Sequence, residues 1–108
     1  MVEVSIQAAQ QIMKSARESK MEGMPLRVAA TKNADGSIHY GMGFDDVGNQ
    51  QGSDQQFNSQ GIQIVVGEAS IPLITGMTID YVEIEPGQFH FVFLNPNDPN
   101  YQPPEDQQ

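Results

Sequence analysis

The chain has 108 residues, no cysteine and a formal net charge of −9. That length accommodates one domain and excludes two independent cores. The missing thiols exclude disulfides, thiolate nucleophiles, cysteine-based zinc sites and cysteinyl ligation of iron–sulfur clusters. All five basic residues, Lys14, Arg17, Lys20, Arg27 and Lys32, lie in the first third, and eleven acids follow Lys32 with no further Lys or Arg. Such a surface repels a polyanion over most of its extent, so no nucleic-acid partner is expected.

No run approaches 18 consecutive apolar residues, so no membrane-spanning helix and no membrane partner are expected. The start, Met1 to Ser5, lacks the basic and apolar regions of a secretory signal, which makes the cytoplasm the expected location.

Ser5 is a good helix N-cap, with Val4 before it and an apolar stripe after it. Ile6, Ala9, Met13 and Ala16 recur at helical spacing, and Ile12 widens the stripe. Lys14, Arg17 and Lys20 complement the dipole toward the C-terminal end. Gly23 offers a left-handed stop and Pro25 prevents continuation, so the pattern predicts a helix over roughly 6–21.

Everything beyond it reads as β-structure. Residues 26–31 form a short strand, and Ile38, Tyr40, Met42 and Phe44 alternate with small or polar residues as a half-buried strand. Asp35-Gly36 between them signals a hairpin, because both residues tolerate positive φ. Residues 45–59 are rich in Gly, Gln and Asp and read as a mobile surface loop. Strands follow over 61–66, 77–84 and 88–94, the last two joined by Glu85-Pro86-Gly87. The apolar piece Ile71 to Ile74 carries Pro72, which places it at an edge or in a turn. Phe89, Phe91 and Phe93 share one face and are assigned to the core. Residues 1–97 make the domain, and 98–108, polar and rich in Pro and Gln, are expected to be a disordered tail. The fold class is mainly β with one N-terminal helix, as a β-sandwich or pseudobarrel.

The order of helix, Leu26-Arg27-Val28, hairpin, Tyr40, Phe44, Gly61-Ile62, Thr75 to Val82, Phe89-His90-Phe91 and Asn95-Pro96-Asn97 resembles the A-type iron–sulfur carriers, also called HesB-like or IscA-like. The resemblance runs from the helix to Asn97 and implies the HesB-like fold. It also implies one thiol ligand in the first hairpin and a Cys-Gly-Cys element near the C-terminus, binding iron or a cluster across a dimer. Ungapped counting puts those three ligands at Asp35, Gln102 and Pro104. All three thiols are absent. The departure falls on the carrier's ligands and spares its scaffold, a pattern that resembles the cysteine-free, DsrR-like subgroup associated with bacterial sulfur oxidation.

Other chemistry finds little footing. His39 and His90 are the only imidazoles, and a metal site needs both to converge with a carboxylate such as Asp35. Asp45-Asp46 with Gly48 and Asn49 fails the spacing of a calcium loop, and Gly41-Met42-Gly43 lies inside a strand without the third glycine of a dinucleotide site. Glu83 and Glu85 sit on a strand edge where nothing predicts a cleft. The candidate interaction surface is the basic helix face of Lys14, Arg17 and Lys20, facing an acidic partner, together with the Tyr101 ring. The sequence therefore points to a monomeric, non-enzymatic protein-binding or regulatory module without a cofactor. The alternative is residual mononuclear iron binding through Asp35 and the histidines.

Overall fold

The computed structural model describes residues 1–46 and 52–101. Two mixed sheets enclose one core. In chain order the elements are β1 (Glu3–Val4), α1 (Ile6–Glu18), β2 (Leu26–Lys32), β3 (Ile38–Phe44), β4 (Gln55–Ser59), β5 (Ile62–Val66), α2 (Ile71–Ile74), β6 (Thr78–Glu85) and β7 (Gln88–Leu94). One sheet has the order β1-β6-β7 and the other β3-β2-β5-β4. This is the expected mainly-β class with one substantial, N-terminal helix, which packs against β6.

Ser5 starts α1 by two bonds at once. Its hydroxyl accepts from the Ala8 amide at 3.0 Å and donates to Asp80 on β6 at 2.6 Å, so the cap also fastens the helix to the sheet. The buried helix face is Ala8, Ala9, Ile12 and Ala16, while Ile6 and Met13, assigned to the stripe by spacing, stay exposed at its margins. Small residues face the sheet because the helix lies close on it. The helix ends earlier than Gly23 predicts. Lys20 itself takes the left-handed conformation (φ 58°), with its amide bonded to the Arg17 carbonyl and the Met21 amide to Ala16, the pairing of a Schellman stop.

Three further expectations need correction. Residues 55–59, read as part of a loop, form β4, paired antiparallel with β5 through a two-residue turn in which Gln60 and Gly61 both have positive φ. That turn geometry lets polar Gln-rich sequence join a sheet edge. Ile71–Ile74 is one helical turn, with Pro72 near its start where the missing N–H costs nothing. Phe89 is 49% exposed, because the β6–β7 ribbon projects beyond the core; the ladder slips between Glu83 and Glu85 near its tip. Only the inner end of that phenylalanine face, at Phe91 and Phe93, packs against the core.

The core unites Val2 and Val4 from the N-terminus, the helix face, Val28, Ile64 and Val66 from one sheet, and Ile74, Met77 and Ile79 around the other. β2 pairs in parallel with β5 and β1 in parallel with β6, so neither junction is a hairpin and both fix distant parts of the chain. Of the calcium-loop residues considered above, Gly48 and Asn49 lie outside the described residues. Asp45 instead joins Asp54 in clamping the Arg27 guanidinium, which ties the ends of β2 and β3 to the approach to β4. No helix among the described residues is long and apolar enough to cross a membrane.

Replacing Ser5 with alanine removes the cap and the Asp80 bond together. The expected cost is about 1–2 kcal/mol, read from urea unfolding of wild type and Ser5→Ala at one pH.

Candidate functional site

Asn95 follows the last strand and is completely buried, one of two buried polar residues among those described. A buried amide is tolerated only when all its hydrogen-bonding capacity is met. Here the Nδ2 group donates to the Tyr40 hydroxyl (3.0 Å) and to the Leu73 carbonyl (2.8 Å). Its Oδ1 accepts from the backbone amide and the side chain of Asn97, at 3.1 and 2.9 Å. Asn97 also reaches the Thr75 carbonyl at 2.8 Å. The Tyr40 hydroxyl then donates to Asp98 at 2.6 Å, and the ring stacks on Phe93 with centroids 4.6 Å apart.

Asn95 therefore joins β3, α2 and the chain leaving β7. The turn continues: the Asp98 amide bonds to the Asn95 carbonyl, the Asn100 amide to the Asp98 carboxylate and the Tyr101 amide to the Asp98 carbonyl. Residues 98–101, placed in the tail by composition, are bonded to the domain in this way. Tyr101 is half-buried. Burial, reinforced by the bond to Asp98, pushes the Tyr40 phenol up to about 12.

The hairpin position behaves differently. Asp35 is exposed, and its Oδ1 accepts from the Ser37 amide at 3.0 Å and from the Ser37 hydroxyl at 2.6 Å. These bonds hold its carboxyl below the usual carboxylate range. Only Gly36 takes positive φ (91°), so the connection is a five-residue loop, 33–37, and not the two-residue turn that Asp-Gly suggests. The side chain shapes that loop. Gln102 and Pro104, the other two positions matched to the family's cysteines, lie outside the described residues.

His39 and His90 are exposed and sit on different sheets, paired opposite Thr31 and Val82. The structure does not bring them together with Asp35. Among the described residues, no group of three His, Cys, Asp or Glu side chains is arranged to hold a metal ion. Glu83 reaches forward to cap the Gly87 amide at 2.8 Å. Lys14, Arg17 and Lys20 are exposed on and just after α1, and Arg17 lines a groove of about 420 Å³ between the helix and the β4–β5 turn. The sequence reading missed that groove. No local pattern marked it: Met13, counted in the apolar stripe by spacing, is 37% exposed here, and Gly61 of the β4–β5 turn lies against it.

No family model matches the chain. The iron-sulfur cluster insertion protein ErpA of Ruthia magnifica subsp. Calyptogena magnifica is 32% identical over 90 residues, spanning 83% of this chain and 74% of that protein. The chain belongs to the A-type iron–sulfur carrier family. A crystal structure of IscA with the [2Fe-2S] cluster superposes with a TM-score of 0.73 at 26% identity, covering 90% of this chain and 86% of the other. Escherichia coli SufA, at 23% identity and TM-score 0.69 over 97% and 89% of the two chains, shares the fold.

Within this family the chain is a cysteine-free member. A cluster as cargo needs soft, anionic sulfur donors. At Asp35, which the resemblance matches to the hairpin ligand, this chain has a hard carboxylate already engaged by Ser37, and the whole sequence holds no cysteine. This donor set does not fit a cluster.

The anchor at Asn95 makes two measurable statements. Asn95→Ala leaves the Leu73 carbonyl and the Asn97 amide without their partner, and the expected loss is about 3 kcal/mol in urea unfolding. Tyr40, with a folded-state pKa raised from 10.0 to about 12, stabilises the fold fully below pH 10, and that contribution is lost as pH rises toward 12. Ultraviolet titration of wild type and Tyr40→Phe resolves it as one late-ionising phenol, absent from the variant.

Proposed function

We propose that this protein is a non-enzymatic member of the carrier family that does not carry a cluster and acts by binding a protein partner, in a regulatory role in bacterial sulfur oxidation. One contrast carries the reading. The hydrogen-bonded anchor that leads the chain out of β7 toward position 102 is complete, yet no residue of the 108 can supply a thiolate. A scaffold kept in full without its ligands is suited to recognition by its surface. The relatives' names concern cluster insertion and not a chemical conversion, which supports a role without catalysis. The cytoplasm is the proposed location and the monomer the proposed state, because the metal that bridges family dimers has no ligands here.

The purified, untagged chain is incubated anaerobically with ferrous iron and sulfide and then desalted. The expected product is colourless, with no bound iron or labile sulfide. The variant Asp35→Cys/Gln102→Cys/Pro104→Cys is expected to gain a brown chromophore, since only the donors are missing. A stable stoichiometric chromophore on the wild-type chain would sink the proposal. Its regulatory half is tested by affinity capture from native cells grown with and without reduced sulfur compounds. The expected result is a specific partner enriched during sulfur oxidation, and the absence of any under all conditions counts against it.

A further inference from the structure

The groove beside α1 is walled by Ile12 and Met13 from the helix, Met24 from the connection to β2, Phe44 from the end of β3 and Ile62 from β5, with Arg17 among its lining residues. Its lining is polar and apolar in about equal measure, with Glu22, Asn58 and Gln63 beside the apolar wall, and it is open to solvent: Met13 and Met24 are 37% and 40% exposed. The two-residue turn Gln60-Gly61 sets its width. Gly61 has φ 79°, which favours glycine, and a Cβ there would come within 3.3 Å of the Met13 methyl, so the turn lies close against the methionine. About 420 Å³ holds one or two large side chains, toward the lower end of pocket sizes of about 300–1,000 Å³. Methionine side chains are polarizable and unbranched, and they mould to whichever side chain enters.

Charge decides what that side chain belongs to. Residues 14–22 carry three cations, Lys14, Arg17 and Lys20, against two acids, Glu18 and Glu22, the latter also lining the groove. Elsewhere the balance is opposite: Arg27 is held by Asp45 and Asp54, and beyond Lys32 the chain has acids only. An acidic segment approaching this molecule is repelled by most of its surface and drawn to the helix.

We infer that the groove between α1 and the β4–β5 turn docks an acidic peptide segment of a partner protein, inserting a bulky apolar side chain between Met13 and Met24 while its carboxylates meet Arg17, Lys14 and Lys20. This deepens the proposed binding role and rests on it.

The test uses the full chain, immobilised as bait for random 12-residue peptides displayed on phage; selected sequences are synthesised and measured by fluorescence anisotropy. Selection is expected to enrich Asp and Glu around Leu, Met or Phe, with binding that weakens as salt rises. Arg17→Glu and Met24→Glu, both at exposed positions, are each expected to weaken binding about tenfold or more, while both variants still unfold in one cooperative thermal transition. Recovery of no peptide, of basic or neutral peptides, or of peptides indifferent to both substitutions overturns the inference. So does sedimentation showing that the free chain self-associates and that Met24→Glu abolishes it, because the groove then receives a second copy. Peptides that bind but ignore both substitutions remove this groove alone, whereas a cluster on the wild-type chain removes the proposed function itself.

Discussion

The buried amide of Asn95 is the constraint on which the architecture of the C-terminal end depends. It has no contact with water, so each of its hydrogen-bonding positions must find a protein partner, and those partners come from β3, from the carbonyl of Leu73 on α2, and from the turn after β7. Three segments far apart in sequence are thereby held in one arrangement. Apolar packing alone could not impose it, since contacts among Phe93, Leu73 and Tyr40 would tolerate sliding. Directional bonds specify where the chain goes next.

That specification matters for what the protein is. The sequence after the anchor, from residue 102 to 108, holds no thiol. Scaffold and cargo chemistry are physically separable, because the anchor uses oxygen and nitrogen at Asn95, Tyr40 and Asp98 while cargo binding uses sulfur. Loss of the second leaves the first intact. Asp35 illustrates the point from the other end of the site: with its carboxylate turned to Ser37, it serves the loop that the hairpin needs.

Much of this was legible in the residues. Ser5 and the stripe of Ile6, Ala9, Ile12, Met13 and Ala16 announced the helix, and alternation at Ile38, Tyr40, Met42 and Phe44 announced β3. The absence of cysteine needed no structure at all. The order of elements pointed to the family before any coordinates. What stayed hidden depends on partners distant in sequence. β4 is polar apart from Phe57, which packs against the core, and pairs along its length with β5. β1 has two residues and exists through its pairing with β6. Lys20 stops the helix although Gly23 is nearby, because the carbonyls of Ala16 and Arg17 are already within reach. Asn95 and Tyr40 were visible as family marks, but their bond spans 55 positions and no local pattern encodes it. The groove likewise needs four separate segments to meet.

The projecting β6–β7 ribbon has a consequence for behaviour in concentrated solution. β7 is a sheet-edge strand of sequence Gln-Phe-His-Phe-Val-Phe-Leu, with the Phe89 ring stacked on Tyr81 and half exposed, and such a segment is a template for intermolecular stacking into fibrils. Glu83 and Glu85 guard its tip, the slipped ladder between them disturbs the flat surface that stacking requires, and Pro86 and Pro96 flank it in sequence. Those guards are electrostatic as much as steric. The protein thus keeps an aggregation-competent strand in check by negative charge, and its colloidal safety narrows as acidity approaches its isoelectric point near 4.3.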